Sequence, residues 1–346
     1  MTGRRDFLRN LISGGLLLAG CSPHDKQTRA DKASNLLHRF GLPENTAPDF
    51  KRLYAAGPPA EVLLYALAPE RLAGWTTRKR PQTLEMLGGN ARRLPLLGGI
   101  NGRGTPVSAE RLLAEKIDVV IDVGVVNGSS VSTAEQTVKQ LGIPYLLLEG
   151  RLAQSARQIR QLGSLIASPH TERLAALAEE ALSFAQGEAA ARTPSVSVYL
   201  ARGRDGLETG RKNSIHTEVA ALLGARSVGD ALGGGGLARV SMEQLLMWQP
   251  DWVLTQDADF AAQIRRNPMW RDIRAVREGR IGLLPRLPYG WMDGPPGINR
   301  LPGIYALAAV LSGRPVSDYR ERILPLLHAL YHHRPNAAQL GLLGLA

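Results

Sequence analysis

The chain has 346 residues, of which 44% are hydrophobic and 21% are charged, so it is long enough for two domains and too apolar to be disordered. Aromatic residues make up only 5%, which argues against a binding surface built from stacked rings. The formal net charge is +11, but the basic residues are scattered. The one tight run, Arg78-Lys79-Arg80, is typical of a solvated turn, and no DNA- or RNA-binding motif is present.

The N-terminus has the features of a bacterial export signal, so residues 1–20 are excluded from the predicted fold. Arg4-Arg5-Asp6-Phe7-Leu8-Arg9 resembles a twin-arginine signal, and the apolar run at 11–19 is too short to span a bilayer. The run ends in Leu18-Ala19-Gly20-Cys21, which resembles a lipobox. This resemblance implies that Cys21 becomes a lipidated first residue and that 21–46 form a polar tether.

Cys21 is the only cysteine of the chain, which excludes an internal disulfide and a cysteine-rich metal cluster.

Residues 47–165 alternate between short apolar strands and helices, which is typical of a mainly parallel sheet in an α/β lobe. Ser132 and Glu135 have capping-box spacing and predict a helix that ends near Leu141. The other predicted elements are strands at 52–56, 71–75, 119–123 and 144–148, a helix at 60–67, and loops at 98–104 and 124–131.

Residues 166–188 predict one long helix. Ser168 suits the N-cap, Pro169 suits the first helical position, and Gly187 suits the end of the helix. About twenty residues at 1.5 Å per residue span roughly 30 Å, which is enough to join two lobes.

Residues 189–335 repeat the α/β alternation and predict a second lobe, followed by a tail at 336–346 that carries little information. Its predicted elements are strands at 196–200, 253–255 and 281–284, helices at 215–223 and 298–311, and loops at 202–206, 233–236 and 285–296.

One phrase occurs in both predicted lobes. Val107-Ser108-Ala109-Glu110-Arg111-Leu112-Leu113 precedes Asp118, and Val240-Ser241-Met242-Glu243-Gln244-Leu245-Leu246 precedes Asp251, with a constant separation of 133 residues. We interpret this as the same helix-strand unit used once in each lobe. The alternative is chance, because Ser-x-Glu-x-Leu-Leu is an ordinary helix start.

This set of features resembles the substrate-binding proteins of ABC importers for ferric siderophores, haem and cobalamin. The resemblance covers about residues 50–330 and departs from the family pattern at 202–211 and 288–296. It is carried by the repeated phrase at 240–253, by Asn267-Pro268-Met269-Trp270 with the segment 275–281, and by Asn299-Arg300-Leu301.

The resemblance implies two Rossmann-like α/β lobes joined by one long rigid helix, with a ligand cleft between the lobes. It implies a monomeric, periplasmic lipoprotein that delivers a small molecule to a dimeric permease and has no resident cofactor or metal. Ferric siderophores come first because they are the commonest cargo of that family and because an anionic chelate suits arginine. Cobalamin, haem, a nickel chelate and a molybdate- or tungstate-type oxyanion remain alternatives.

Ligands of open α/β lobes bind beyond the carboxyl ends of the strands, so the loops there supply the candidate contacts. Arginines would pair with an anionic ligand, while Tyr289 and Trp291 would cover an apolar ligand face. The alternative for each arginine is a solvated loop residue, and His216 is a weak further candidate. The predicted ligand contacts are Pro58, Asn101, Arg103, Asn127 and Ser129 from the first lobe, and Arg202, Arg204, Gln256, Tyr289, Trp291 and Asp293 from the second.

Glu110 and Glu243 occupy the same point of the repeated phrase, in the first turn of each predicted helix. The resemblance implies that each docks on arginines of one permease subunit. The alternative is that each carboxylate only complements its helix dipole.

Two alternative classes are an exported bilobal enzyme or chelatase and a basic surface adhesin. The sequence has no Walker loop, dinucleotide fingerprint or Gly-x-Ser-x-Gly elbow to support catalysis. The adjacent His332-His333 cannot share a helix face as a zinc pair does. An adhesin would not require the in-register repeat. We therefore expect a binding protein and not an enzyme.

Overall fold

Two mainly parallel β-sheets, each packed against helices, form the framework of the protein. The computed structural model describes residues 35–43, 46, 48–101, 104–192 and 195–346. The predicted signal at 1–20, the lipidation site Cys21 and Arg103 lie outside the described residues. Among the helices of the described ranges, none combines the length and the apolarity needed to cross a bilayer.

The first sheet defines the first lobe and has the strand order β1-β4-β3-β2. β1 runs antiparallel to β4, and the other neighbours are parallel. The strands are β1 Leu37–Phe40, β2 Leu53–Ala55, β3 Val119–Gly124 and β4 Tyr145–Glu149. The helices are α1 Pro58–Leu67, α2 Pro81–Glu85, α3 Ala109–Ala114, α4 Gly128–Leu141 and α5 Ser155–Leu165.

Three predictions for the first lobe differ from the structure. β1 falls inside the predicted tether, because Leu37 finds a buried place beside β4. The predicted strand at 71–75 forms only isolated bridges at Leu72 and Trp75. Helix α4 begins at Gly128 and not at Ser132, because Asn127 accepts hydrogen bonds from the first-turn amides and completes a capping box with Ser130.

One long helix, α6 Thr171–Ala191, leads from the first lobe to the second, as predicted. It starts at Thr171 and not at Pro169, because the Ser168 hydroxyl donates to the Leu67 carbonyl and does not cap α6. Gly187 lies inside the helix and does not end it.

The second sheet defines the second lobe and is wholly parallel, with the order β10-β9-β5-β7. A small antiparallel pair, β6 Glu208–Gly210 with β8 Leu237–Arg239, was not predicted. The remaining strands are β5 Ser197–Leu200, β7 Arg226–Ser227, β9 Trp252–Thr255 and β10 Ile281–Leu283, and the helices are α7 Glu218–Leu222, α8 Met242–Trp248, α9 Ala258–Gln263 and α10 Arg274–Arg277.

The C-terminal helices α11 Leu301–Leu311, α12 Arg320–Tyr331 and α13 Ala337–Leu342 follow the second sheet. α12 packs against α1 of the first lobe. The segment predicted as an uninformative tail belongs to the main core, because Leu340, Leu343 and Leu345 are all buried there. That core also holds residues of both sheets, so the two lobes share apolar packing.

The two copies of the repeated phrase adopt the same local structure. Helices α3 and α8 start 133 residues apart, each capped by a serine, Ser108 or Ser241, in extended backbone. Each leads into the central part of its sheet, β3 or β9. The Asp118 carboxylate accepts backbone N–H bonds of 2.7 and 2.8 Å just before β2, and the Asp251 carboxylate accepts one of 2.7 Å at the start of β5. The repeat therefore marks equivalent units of two lobes.

Candidate ligand-binding site

A cavity of about 650 Å³ lies beyond the carboxyl ends of β5, β9 and β10. This is the edge of a parallel sheet where ligands bind in open α/β folds. Arg80, which precedes α2 in the first lobe, also lines it, so both lobes contribute. Its walls are formed by Arg80, Leu200, Ala201, Arg202, Gly203, Arg204, Glu208, Thr255, Gln256, Asp257, Ala258, Asp259, Arg286, Asp293 and Gly294.

Charged side chains dominate this cavity. Three of its four arginines, Arg80, Arg204 and Arg286, are exposed and have no side-chain hydrogen-bond or ion-pair partner among the described residues. Of the four carboxylates among the described wall residues, Asp257 caps α9, and only Asp259 is similarly uncommitted. The groups that remain available to a ligand are therefore mainly cationic.

Arg202 is held in place by the protein itself. Its Nη1 donates to Glu208 Oε1 at 2.6 Å, and its Nε lies 2.6 Å from Asp293 Oδ2. The second contact is an ion pair without hydrogen-bond geometry, since that oxygen accepts no hydrogen bond within the described ranges. Arg202 thus forms a fixed part of the cavity wall.

Asp293 is the buried anion at the centre of this wall, with only 3% of its surface exposed. His216 Nδ1 lies 2.7 Å from Asp293 Oδ1, which also accepts the Gly294 N–H at 2.8 Å. Burial alone would raise the pKa of Asp293, but the His216 hydrogen bond and the charges of His216, Arg202 and Arg300 hold it below its ordinary value. The residue is therefore ionised at neutral pH.

The loop that carries Asp293 is anchored by Gln256. The Gln256 amide donates to the Asp293 carbonyl at 2.5 Å and accepts the Met292 and Asp293 N–H groups at 2.5 and 3.1 Å. Gly290 is required at the start of this turn, because a Cβ there would lie 1.8 Å from the Asp293 carbonyl oxygen. Gln256 lines the cavity, and its amide is already occupied by the loop.

The two predicted aromatic contacts are packed inside the protein. Trp291 is 0% exposed, so covering a ligand face does not fit its position. Tyr289 is 7% exposed and its hydroxyl donates to Glu61 Oε1 at 3.1 Å. Glu61 also contacts Lys79 Nζ at 2.6 Å, so Tyr289 joins the second-lobe loop to the first lobe.

The described candidates from the first lobe lie away from the walls of this cavity. Pro58 starts α1, and the exposed Asn127 and Ser129 form the N-terminal cap of α4. The Asn101 amide donates to Asp122 Oδ2 at 2.6 Å, beside the Tyr145 hydroxyl. Burial raises the pKa of Asp122, although these hydrogen bonds oppose the shift.

Arg80 and Arg286 line the cavity but are not among the predicted ligand contacts. Arg80 belongs to the one tight basic run, which had been interpreted as a solvated turn. Arg286 lies three residues after the end of β10, in the loop predicted at 285–296. The position of Arg286 after a strand was the available signal, whereas Arg80 reaches the cavity through the packing of the two lobes.

Glu110 and Glu243 are equivalent, exposed residues at the starts of α3 and α8. Hydrogen bonds from each residue's own backbone N–H and from its capping serine lower both pKa values, so both carboxylates are charged at neutral pH. In both helices the residue two positions after the glutamate, Leu112 or Leu245, is buried. The following Leu113 and Leu246 are 54% and 39% exposed.

In the part of the chain that the structure describes, no group of three or more histidine, aspartate or glutamate side chains is placed to hold a metal ion.

Two α/β lobes, with a charged cavity beyond the carboxyl ends of the strands in the second lobe, are typical of a protein that binds a small ligand. Residues 100–287 match the model of the periplasmic binding protein family, which is more than half of the chain, and the chain belongs to that family. It is a periplasmic substrate-binding protein of the ABC importer type, and not an enzyme. No curated protein matches the sequence.

Solved structures share the fold. The ABC transporter solute-binding protein from Sulfurospirillum deleyianum is 24% identical, with a TM-score of 0.76 over 87% of this chain and 95% of that chain. The molybdate-binding protein MolA of Haemophilus influenzae is 20% identical, with a TM-score of 0.63 over 84% and 96%. The vitamin B12-binding protein BtuF of Vibrio cholerae is 18% identical, with a TM-score of 0.58 over 76% and 97%.

Proposed function

We propose that the cavity captures a polyanionic metal chelate, with a ferric siderophore as the first candidate, and that the protein delivers it to an ABC permease. The observation that carries this proposal is the convergence of Arg80, Arg204 and Arg286, three uncommitted cations from three segments, on one cavity. Guanidinium groups bind carboxylate and other oxyanion groups through paired, charge-assisted hydrogen bonds.

The size and lining of the cavity favour a chelate over the alternatives. A molybdate-type oxyanion has five heavy atoms, so it would fill little of 650 Å³, given that a water molecule takes roughly 30 Å³. Haem and cobalamin present large apolar or ring surfaces, and no aromatic residue is among the described wall residues. A nickel chelate carrying carboxylates would use the same arginines.

A paired substitution tests the cationic site. Arg204→Gln with Arg286→Gln should weaken binding of a carboxylate-type ferric chelate by about 10- to 100-fold per residue, since a charged hydrogen bond contributes about 1.5–3 kcal/mol. Isothermal calorimetry with ferric citrate, a ferric catecholate, molybdate, haem and cyanocobalamin would rank the ligand classes at the same time.

Arg266→Gln is the matched control, because Arg266 is exposed in the same lobe and has no side-chain partner among the described residues. Unchanged chelate affinity in the double variant would contradict the arginine site. Tight binding of molybdate alone would replace the chelate by an oxyanion.

We further propose that the mature protein begins at a lipidated Cys21 and is tethered to the membrane. Cys21→Ala should move the protein from the membrane pellet into the soluble periplasmic fraction, because the acyl chains supply the attachment. Fractionation with a salt wash measures this. A variant that still pellets after the wash would show that another attachment exists.

The same proposal assigns Glu110 and Glu243 to permease docking, one residue for each subunit. Both are exposed, charged and equivalent in the two lobes, which suits a partner with two-fold symmetry.

A further inference from the structure

Two adjoining cavities lie along helix α12, beside the start of helix α6, and apart from the proposed ligand site. The smaller has a volume of about 160 Å³ and the larger about 390 Å³. Arg173 and His328 line both, so the two spaces are neighbours. Nothing in the proposed import function uses this region.

The smaller cavity is a cluster of cationic and titratable groups. It is lined by His170, Arg173, His328, Ala329 and His332. The rings of His170 and His332 are 4.8 Å apart, and the buried Nδ1 of His328 has no hydrogen-bond partner within the described ranges. None of the described lining residues is a carboxylate.

His332 is half-buried among other basic side chains, and no described carboxylate lines the cavity beside it. Its Nε2 lies 3.0 Å from the Tyr65 carbonyl oxygen, so Nε2 carries a hydrogen. Burial lowers the pKa of His332, and the neighbouring His170 and His328 lower it further. An anion placed in this cavity would accept hydrogen bonds from the Arg173 guanidinium and from the Nδ1 of His328, which is unpartnered among the described residues, in its N–H tautomer.

The larger cavity joins an apolar floor to a cationic rim. Arg320 and Arg334 stand on the rim with Arg173, and none of the three has a side-chain partner among the described residues. Glu321 is the one carboxylate of this lining. The floor consists of Leu324, Pro325, Pro335 and Leu340.

We propose that this pair of cavities binds an amphiphile with an oxyanion head, either a phosphate or a carboxylate. The head occupies the histidine and Arg173 chamber, and the apolar body lies on the adjoining floor. The small chamber holds roughly five water molecules' volume, at about 30 Å³ each, which suits a single oxyanion group. Arg173 disfavours a bare metal ion at the same place.

Calorimetry on the whole chain tests the proposal with four probes: octyl phosphate, inorganic phosphate, octanol, and vesicles of phosphatidylglycerol. Octyl phosphate should bind at least about tenfold more tightly than inorganic phosphate, because burying its chain adds hydrophobic free energy. Octanol should bind weakly, because it lacks the charge. Vesicle binding that octyl phosphate competes away would identify a membrane lipid as the source, and vesicle binding without octyl phosphate binding would overturn the cavity site.

The variant Arg173→Gln with His328→Gln should reduce octyl phosphate affinity by about 10- to 100-fold. Arg93→Gln, an exposed arginine outside both cavities, is the matched control and should have no effect. Chelate binding should be unchanged in both variants, which also shows that the variant is folded. Unchanged octyl phosphate affinity in the double variant, or displacement of octyl phosphate by the chelate, would overturn the proposal.

Discussion

The double substitution Glu110→Ala and Glu243→Ala is expected to abolish transport and to leave ligand affinity unchanged. Both carboxylates are exposed, and neither forms an ion pair with a described residue, so the fold does not depend on their charge. Both are ionised at neutral pH, because their capping serines and backbone amides lower the pKa.

Their effect on docking follows from how a charge pair behaves at an interface. An ion pair in open solvent contributes little, but one that is desolvated and hydrogen-bonded between two proteins costs about 2–5 kcal/mol when one partner is removed. Two such contacts at a fixed separation act together, so losing both removes their combined effect. Either single variant should therefore retain partial transport.

Uptake of labelled ligand into cells, with calorimetry on the purified variant, measures the two effects separately. Glu135→Ala with Glu278→Ala removes the same charge from exposed positions outside the repeated helices and serves as control. Transport at the wild-type rate in the Glu110 and Glu243 variant would reduce both residues to helix caps.

Asp293→Asn is expected to destabilise the protein by about 3–5 kcal/mol at pH 7, the usual cost of removing one partner from a buried ion pair. The substitution leaves Arg202 and His216 without their anion, and it removes the negative charge near the fully buried Arg300. Arg202, which pairs with both Asp293 and Glu208 in the wild type, would keep only Glu208. Urea unfolding at fixed pH measures the loss.

The pH dependence has a definite sign. Because the folded pKa of Asp293 is below its ordinary value, its contribution is fully present above about pH 4 and is lost as the pH falls through the folded pKa. The stability difference between wild type and Asp293→Asn should therefore shrink in the acid range. Asp259→Asn is the control, since Asp259 is an exposed, uncommitted acid of the same cavity and should change stability by less than about 0.5 kcal/mol. An equal loss in both variants would contradict the buried network.

The repeated phrase predicted the architecture because its residues act locally. Ser108 and Ser241 cap helices, and Asp118 and Asp251 bond to the backbone at the start of a neighbouring strand. Such interactions depend on a few adjacent residues or on one strand pairing, so their pattern survives in the sequence. This is why two lobes and the long helix between them were predictable.

The candidate site was only partly predictable, because the exposure of a side chain depends on tertiary packing. Arg202, Arg204, Gln256 and Asp293 line the cavity, since position after a strand is visible in sequence. Trp291 lies in the same loop as Asp293, but its side chain is buried. A Cβ on Gly303 would lie 1.8 Å from the Trp291 carbonyl oxygen, so the loop packs directly on α11. That contact joins distant segments and leaves no local signal.

The C-terminal helices impose an order on how the chain can fold. All four strands of the second sheet lie within residues 197–283, so that sheet can form from one continuous stretch. The first lobe, by contrast, needs the end of the chain: the Gln339 amide donates to the Glu85 carbonyl across 254 residues, and Leu345 is buried in the main core. Contacts of such long sequence separation form slowly, because loop closure precedes any gain from packing. We therefore expect the first lobe to complete its packing only after helices α12 and α13 have formed, whereas the second sheet needs no residue outside 197–283.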